Sequence, residues 1–328
     1  MNNASSHTLN RKREVSRLNN KSYPNWIAGD LGAKRIDAIA KTLRTKILGA
    51  FNDQWGTGFD TYTPWMTALT VDPKKALILY ERPSSDMVLN PDYLKAISEV
   101  FLNQEHRVLS LSDHQEMVRA DHDVAQSQPW FASRMVTAKS NLFSTMPWLA
   151  ALYPSVVQSI VPVRLEGLAP QGRFAFSHHL AKGAIFMQVS SDETSFAPNH
   201  SIDLAHEIGH QVLMTYLSAD PLITSDPKAL IYSGARGVER TAHRSLHSAV
   251  ALAYMVMAGQ GLIEHDKVPI DPKLVARLND WQLRLITNLG SLRSACTFSV
   301  LGAEILADLE SIADKTGGLT QGENAYAK

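Results

Sequence analysis

The chain has 328 residues, 45% hydrophobic and 20% charged, an ordinary globular composition with material for a large core. Lysine plus arginine balances aspartate plus glutamate at 32 each, so net charge argues for neither a nucleic-acid nor a membrane partner. Cys296 is the one cysteine, which excludes an internal disulfide and favours a reducing compartment.

Residues 1–28 read as a flexible leader, polar and Asn-rich, without the apolar stretch of a signal peptide. The longest apolar run, Ala249 to Gly259, is shorter than the roughly 20 residues a bilayer span needs. A cytoplasmic location is the expectation. From Leu31 to Trp55, Ile36, Ile39, Leu43, Ile47 and Leu48 recur at helical spacing and predict a helix. Ala76 to Tyr80 reads as a short strand or a helix turn. Asn90-Pro91-Asp92 opens a helix through Phe101, with proline at its first position. Residues 112–158 read as mainly helical, interrupted at Pro129 and Pro147.

The texture changes near Val161. Val161 to Leu165 suits an edge strand, because Pro162 removes a ladder donor. Arg173 to Phe176 and Ala184 to Val189 read as two more strands, joined through His178, His179 and Gly183. A helix follows to Leu217, with Ser201 as its cap and Asp203 in its first turn. After a polar loop, Ser218 to Pro227, helices are expected at about Thr241 to Met257, Pro272 to Leu289 and Val300 to Lys315. Met255 and Met257 read as core. The expected fold is mainly α with α+β character: a helical domain with a small antiparallel sheet beside the motif helix, not a cupin-type barrel. A helical N-terminal region, 29–160, would pack as one unit on a metal-site region, 161–328.

The chemistry concentrates at His206-Glu207-Ile208-Gly209-His210, an H-E-x-x-H motif. Histidines four apart share one helical face and can share one cation. Glu207 projects about 100° round the axis, toward a metal-bound water or a supporting role. Ile202, Leu204, Ala205, Val212, Leu213 and Leu217 surround the motif with apolar residues. Burying two histidines there without a purpose would be costly. The third ligand is open on spacing alone. Leu213 and Tyr216 exclude the metzincin continuation. Glu239 and Glu264 are candidates for a gluzincin-like site, and His243 and His247 form another pair four apart.

Tyr232-Ser233-Gly234-Ala235-Arg236-Gly237-Val238-Glu239-Arg240, followed by Leu246-His247-Ser248, resembles a stretch of the HExxH-type peptide β-hydroxylases. These are 2-oxoglutarate-dependent enzymes associated with ribosomal peptide modification. That family has a Tyr-Ser-Pro-Trp-Arg stretch after the motif helix, a second Arg four residues on, and a His-Gly on a helix. Tyr232, Ser233, Arg236, Arg240, Leu246 and His247 match in register. Gly234-Ala235 stand where the family has Pro-Trp, Gly237-Val238 replace two acidic residues, and Ser248 replaces Gly. The resemblance covers roughly residues 170–260. It implies Fe(II) held by His206, His210 and His247. It implies 2-oxoglutarate as cosubstrate, its distal carboxylate gripped by Arg240 first and Arg236 second, with Tyr232 and Ser233 beside them. Two readings follow. One is an Fe(II)/2-oxoglutarate oxygenase hydroxylating a peptide residue or an amino acid. The other is a zinc metallopeptidase in which Glu207 is the general base.

Overall fold

A computed structural model of the chain describes residues 26–55, 95, 118–119, 130–165, 174–178, 181–189, 196–265 and 272–316. The expected leader up to residue 25, the element at 76–80 and the proline at 129 lie outside the described residues. So does the helix at 90–101, apart from Lys95, which is helical.

The described elements in chain order are α1 (Gly29–Trp55), β1 (Val118–Arg119), α2 (Phe131–Thr145), α3 (Pro147–Val156), β2 (Ser159–Pro162), β3 (Arg164–Leu165), β4 (Phe174–Ser177), β5 (Ala184–Gln188), α4 (Phe196–Leu217), β6 (Leu230–Ser233), β7 (Val238–Thr241), α5 (Ala242–Glu264), α6 (Pro272–Ala295) and α7 (Val300–Thr316). Among the described residues the fold is mostly helical with small sheets and no closed barrel, as expected. Pro147 opens α3 at a position where its missing N–H is harmless.

A three-stranded sheet, ordered β2-β5-β4, stands beside α4. β4 pairs with β5 antiparallel, Phe176 opposite Phe186 with their rings stacked at 4.7 Å. β2 joins the other edge of β5 in parallel, so this sheet is mixed. β6 and β7 form a separate antiparallel hairpin.

α4 and α5 are the central pair, and α5 also packs on α6. α5 is long and apolar enough to cross a membrane by composition; here 72% of its apolar window is buried. α2 covers α4 and α1 covers α3, so both halves of the chain contribute to one core.

Three local readings change. α4 begins at Phe196, a turn earlier than the Ser201 cap implied, because Pro198 is tolerated in a first turn. Ser201 is therefore fully buried inside the helix, and its hydroxyl donates to the Ala138 carbonyl of α2 at 3.1 Å. Asp203 consequently lies beyond the first turn. At the other end of the fold, Trp26 to Ala28 belong to the core rather than to a leader. Ile27 and Ala28 are each 1% exposed. The Trp26 and Ile27 N–H groups donate to Asp308 Oδ2, while the Tyr216 and Tyr254 hydroxyls donate to the two carbonyls.

Candidate metal centre

The motif helix is held from three sides. Gln211, next to His210, is 2% exposed, and its amide acts as a clamp on β5. Oε1 accepts from Gly183 N at 2.8 Å, and Nε2 donates to Ala184 O at 2.8 Å. Tyr216 and Tyr254 anchor the far end through the Trp26–Ile27 segment. α5 lies along the face that carries the histidines.

His206 and His210 turn toward each other as i, i+4 geometry requires, their Nε2 atoms 3.1 Å apart. Two nitrogens bound to one ion at about 2.0–2.1 Å, at angles between octahedral and tetrahedral, stand about 2.8–3.4 Å apart. The pair therefore fits a shared cation. His206, Glu207 and His210 each place a donor atom within 4.8 Å of the others. Glu207 is 1% exposed, with Oε1 3.7 Å from His206 Nε2. Its Oε2 is buried, and the buried Ser177 hydroxyl of β4 faces the carboxyl group closely enough to favour its charged form. A buried carboxyl group beside two facing imidazoles is the donor chemistry of a metal site.

His247, from α5, meets the cluster through His210: the two Nδ1 atoms are 3.3 Å apart. His210 thus shows Nε2 to His206 and Nδ1 to His247, with Cε1 between them. Half a turn of the ring exchanges Cε1 with Nε2, and one nitrogen then faces both neighbours. In the ring setting observed, His247 is the outer hydrogen-bonding partner of His210. His243 packs next to His247, ring centroids 4.8 Å apart and the rings tilted by 59°.

The electrostatics favour neutral imidazoles. Burial first, then the Arg236 charge, pulls His206 down to about 4. His210 is held well below its usual value by burial, then by His206, His247 and Arg240. Metal ligation needs this neutral form. Glu207 is pushed up to about 8, mainly by burial; Ser177 opposes the shift and Asp203 adds to it.

The other sequence candidates separate clearly. Arg240 lies on β7, opposite Ile231, rather than on a helix. α5 starts only at Ala242, where Thr241 Oγ1 caps it by accepting from Arg244 N. Arg236 sits exposed in the hairpin turn. Both arginines nevertheless direct charge at the histidines. Ser233 is fully buried, with an unpartnered hydroxyl, and Tyr232 is 49% exposed on the opposite face of β6. Glu239 is exposed opposite Tyr232. Glu264 ends α5, about 26 Å along the axis from His247, too far to be a ligand.

Four residues at this site carry no local sequence signal: Ser177, Gln211, Tyr254 and Met255. Met255, expected to be core, puts its sulfur 3.0 Å from His206 Nδ1. No known family model and no curated protein matches the chain.

Proposed function

We propose that the chain is an Fe(II)/2-oxoglutarate-dependent oxygenase that hydroxylates a C–H bond of a peptide residue or amino acid, in the setting of ribosomal peptide natural-product biosynthesis. The observation that carries this reading is the histidine cluster, His206 Nε2 3.1 Å from His210 Nε2 and His247 against His210, next to a hairpin whose Arg236 and Arg240 charges lower the pKa values of His206 and His210. A divalent ion flanked by two arginines leaves positive charge that a dicarboxylate neutralises. A 2-oxo acid can chelate at one end, and a guanidinium pairs bidentately with the carboxylate at the other.

Under this reading His206, His210 and His247 hold Fe(II), which supplies the redox chemistry with oxygen when bound. Arg240 grips the cosubstrate, with Arg236 second, and Tyr232 and Ser233 border the same hairpin. Glu207 orients water or a ligand beside His206. The test is anaerobic reconstitution of the protein with Fe(II). Addition of oxygen and 2-oxoglutarate is expected to yield succinate.

The alternative is a zinc metallopeptidase, favoured by one observation: Glu207 Oε1 lies 3.7 Å from His206 Nε2. There a general base can hold the proton of an attacking water. Tight zinc binding with peptide cleavage, and no succinate from the iron form, would establish that reading instead.

A further inference from the structure

The nitrogen of His206 that faces away from His210 meets a thioether. Nδ1 lies 3.0 Å from Sδ of Met255, which reaches over from α5 and is half-buried against the core. A methionine sulfur carries no hydrogen, so it can only accept. The contact is satisfied only when Nδ1 bears the proton, because a bare nitrogen lone pair against a sulfur lone pair is repulsive. A neutral imidazole protonated at Nδ1 keeps its lone pair on Nε2, the atom 3.1 Å from His210 Nε2.

We propose that Met255 is a positioning residue for the metal centre: its thioether fixes His206 as the Nδ1–H tautomer and so aims the Nε2 lone pair at the ion. This rests on His206 and His210 being ligands, whichever the metal. The same logic orders the neighbouring rings in the setting observed. Without metal, His206 Nε2 only accepts, so His210 donates from Nε2 and its Nδ1 accepts from His247 Nδ1. With both Nε2 atoms engaged as ligands, His210 would give up its Nε2 proton to solvent, carry on Nδ1 the proton formerly on His247 Nδ1, and donate it to His247, which would then be protonated on Nε2 from solvent. His206 stays unchanged throughout. Ligand histidines ordinarily donate this second N–H to a carboxylate or a carbonyl. A thioether accepts more weakly and adds no charge, so it orients the ring without making it a stronger donor.

Two measurements on wild type, Met255→Leu and Met255→Gln test this. Long-range proton–nitrogen NMR of the metal-free protein reads the His206 tautomer, and calorimetric zinc titration reads the affinity. Leucine keeps the volume and removes the acceptor; glutamine restores one through its carbonyl oxygen. Wild type and Met255→Gln are expected to hold the proton on Nδ1, and Met255→Leu to show both tautomers. Zinc affinity should fall about tenfold in Met255→Leu and largely return in Met255→Gln. A wild type with its proton on Nε2, or a Met255→Leu protein with wild-type tautomer and affinity, overturns the proposal. A wild type that binds no zinc overturns the metal reading and the positioning role with it. The NMR result separates that failure from failure of the thioether contact.

Discussion

Gly209 lies against the ring of Tyr254. A Cβ at residue 209 would stand 3.1 Å from Tyr254 Cγ and 3.3 Å from Ala251 Cα. The ring has nowhere to move, being fully buried with its hydroxyl donating to Ile27 O at 2.6 Å. α4 and α5 therefore approach as closely as a glycine allows. That approach brings His206 onto Met255 and His210 onto His247.

Gly209→Ala tests the approach. Alanine adds about 1 kcal/mol of helix propensity, while crowding a packed interior costs about 1–3 kcal/mol. One of the crowded atoms is backbone, so relief requires the helices to part. Denaturant unfolding should show a net loss on the order of 1 kcal/mol. Metal affinity should fall as well, because the parted helices carry the histidines. A variant more stable than wild type with intact metal binding would contradict the argument.

The metal-free protein should be most stable near neutrality. Glu207 has its folded pKa raised from 4.5 to about 8, so the folded chain keeps a proton that the unfolded chain has lost. Stability from this group falls as pH rises from 4.5 through 8. His206 has its folded pKa lowered from 6.5 to about 4, so the unfolded chain gains a proton that the folded one refuses. Stability from this group falls as pH drops from 6.5 through 4, and His210 acts in the same sense. Each proton difference is worth at most about 1.4 kcal/mol per pH unit, and less for His206, whose side chain is 34% exposed and screened by solvent. Two histidines outweigh one carboxylate on the acid side, and the carboxylate acts alone on the alkaline side. Thermal melts in a chelator should peak at about pH 6.5. Glu207→Gln should flatten the alkaline limb and leave the acid limb in place. An unchanged alkaline limb would remove Glu207 as its cause.

Ligand and cosubstrate roles separate by mutation. His206→Ala and His210→Ala should each abolish metal retention after gel filtration, and His247→Ala should do the same if it is the third ligand. Retention by His247→Ala would leave His247 as the outer partner of His210. Arg240→Ala should weaken 2-oxoglutarate binding at least tenfold, roughly the loss of one charge-assisted bidentate pair, with metal content unchanged. A larger effect from Arg236→Ala would reverse the order of the two arginines.

Much of this was legible in the sequence because it is local. The i, i+4 spacing of His206 and His210 fixes their shared face wherever the helix sits. The helices expected at Pro272 to Leu289 and at Val300 to Lys315 are α6 and α7, though α6 runs on to Ala295. The hairpin was less legible. Its strands are four residues each, too short for alternation to stand out, and Arg240 lies on β7 just before Thr241 caps α5. Partners far apart in sequence left no signal at all. Met255 contacts His206 across 49 positions, and Tyr254 contacts Ile27 across 227. A helical stripe records that a side chain is buried, but not which polar atom it meets.

Gly234 illustrates a departure from a motif that only packing explains. It stands where the resembling hydroxylase stretch has proline. A Cβ at residue 234 would lie 2.6 Å from Arg284 O, 2.8 Å from Thr287 Cβ and 3.0 Å from Asn288 N. Two of these atoms belong to the backbone of α6, so no rotamer change relieves the contact. Arg284 reinforces the junction by donating from Nη1 to Ala235 O at 3.0 Å. The hairpin that carries Arg236 and Arg240 is thus pressed onto α6 at a point where only hydrogen fits. Gly234→Ala should lower stability by about 1–3 kcal/mol, the usual range for overpacking. If the hairpin shifts to make room, it should also weaken 2-oxoglutarate binding without removing metal. Gly234→Pro should be worse, because the ring carries the same Cβ and adds further bulk. A Gly234→Ala protein with wild-type stability and cosubstrate affinity would show that α6 yields and that the seat of the hairpin does not depend on the glycine.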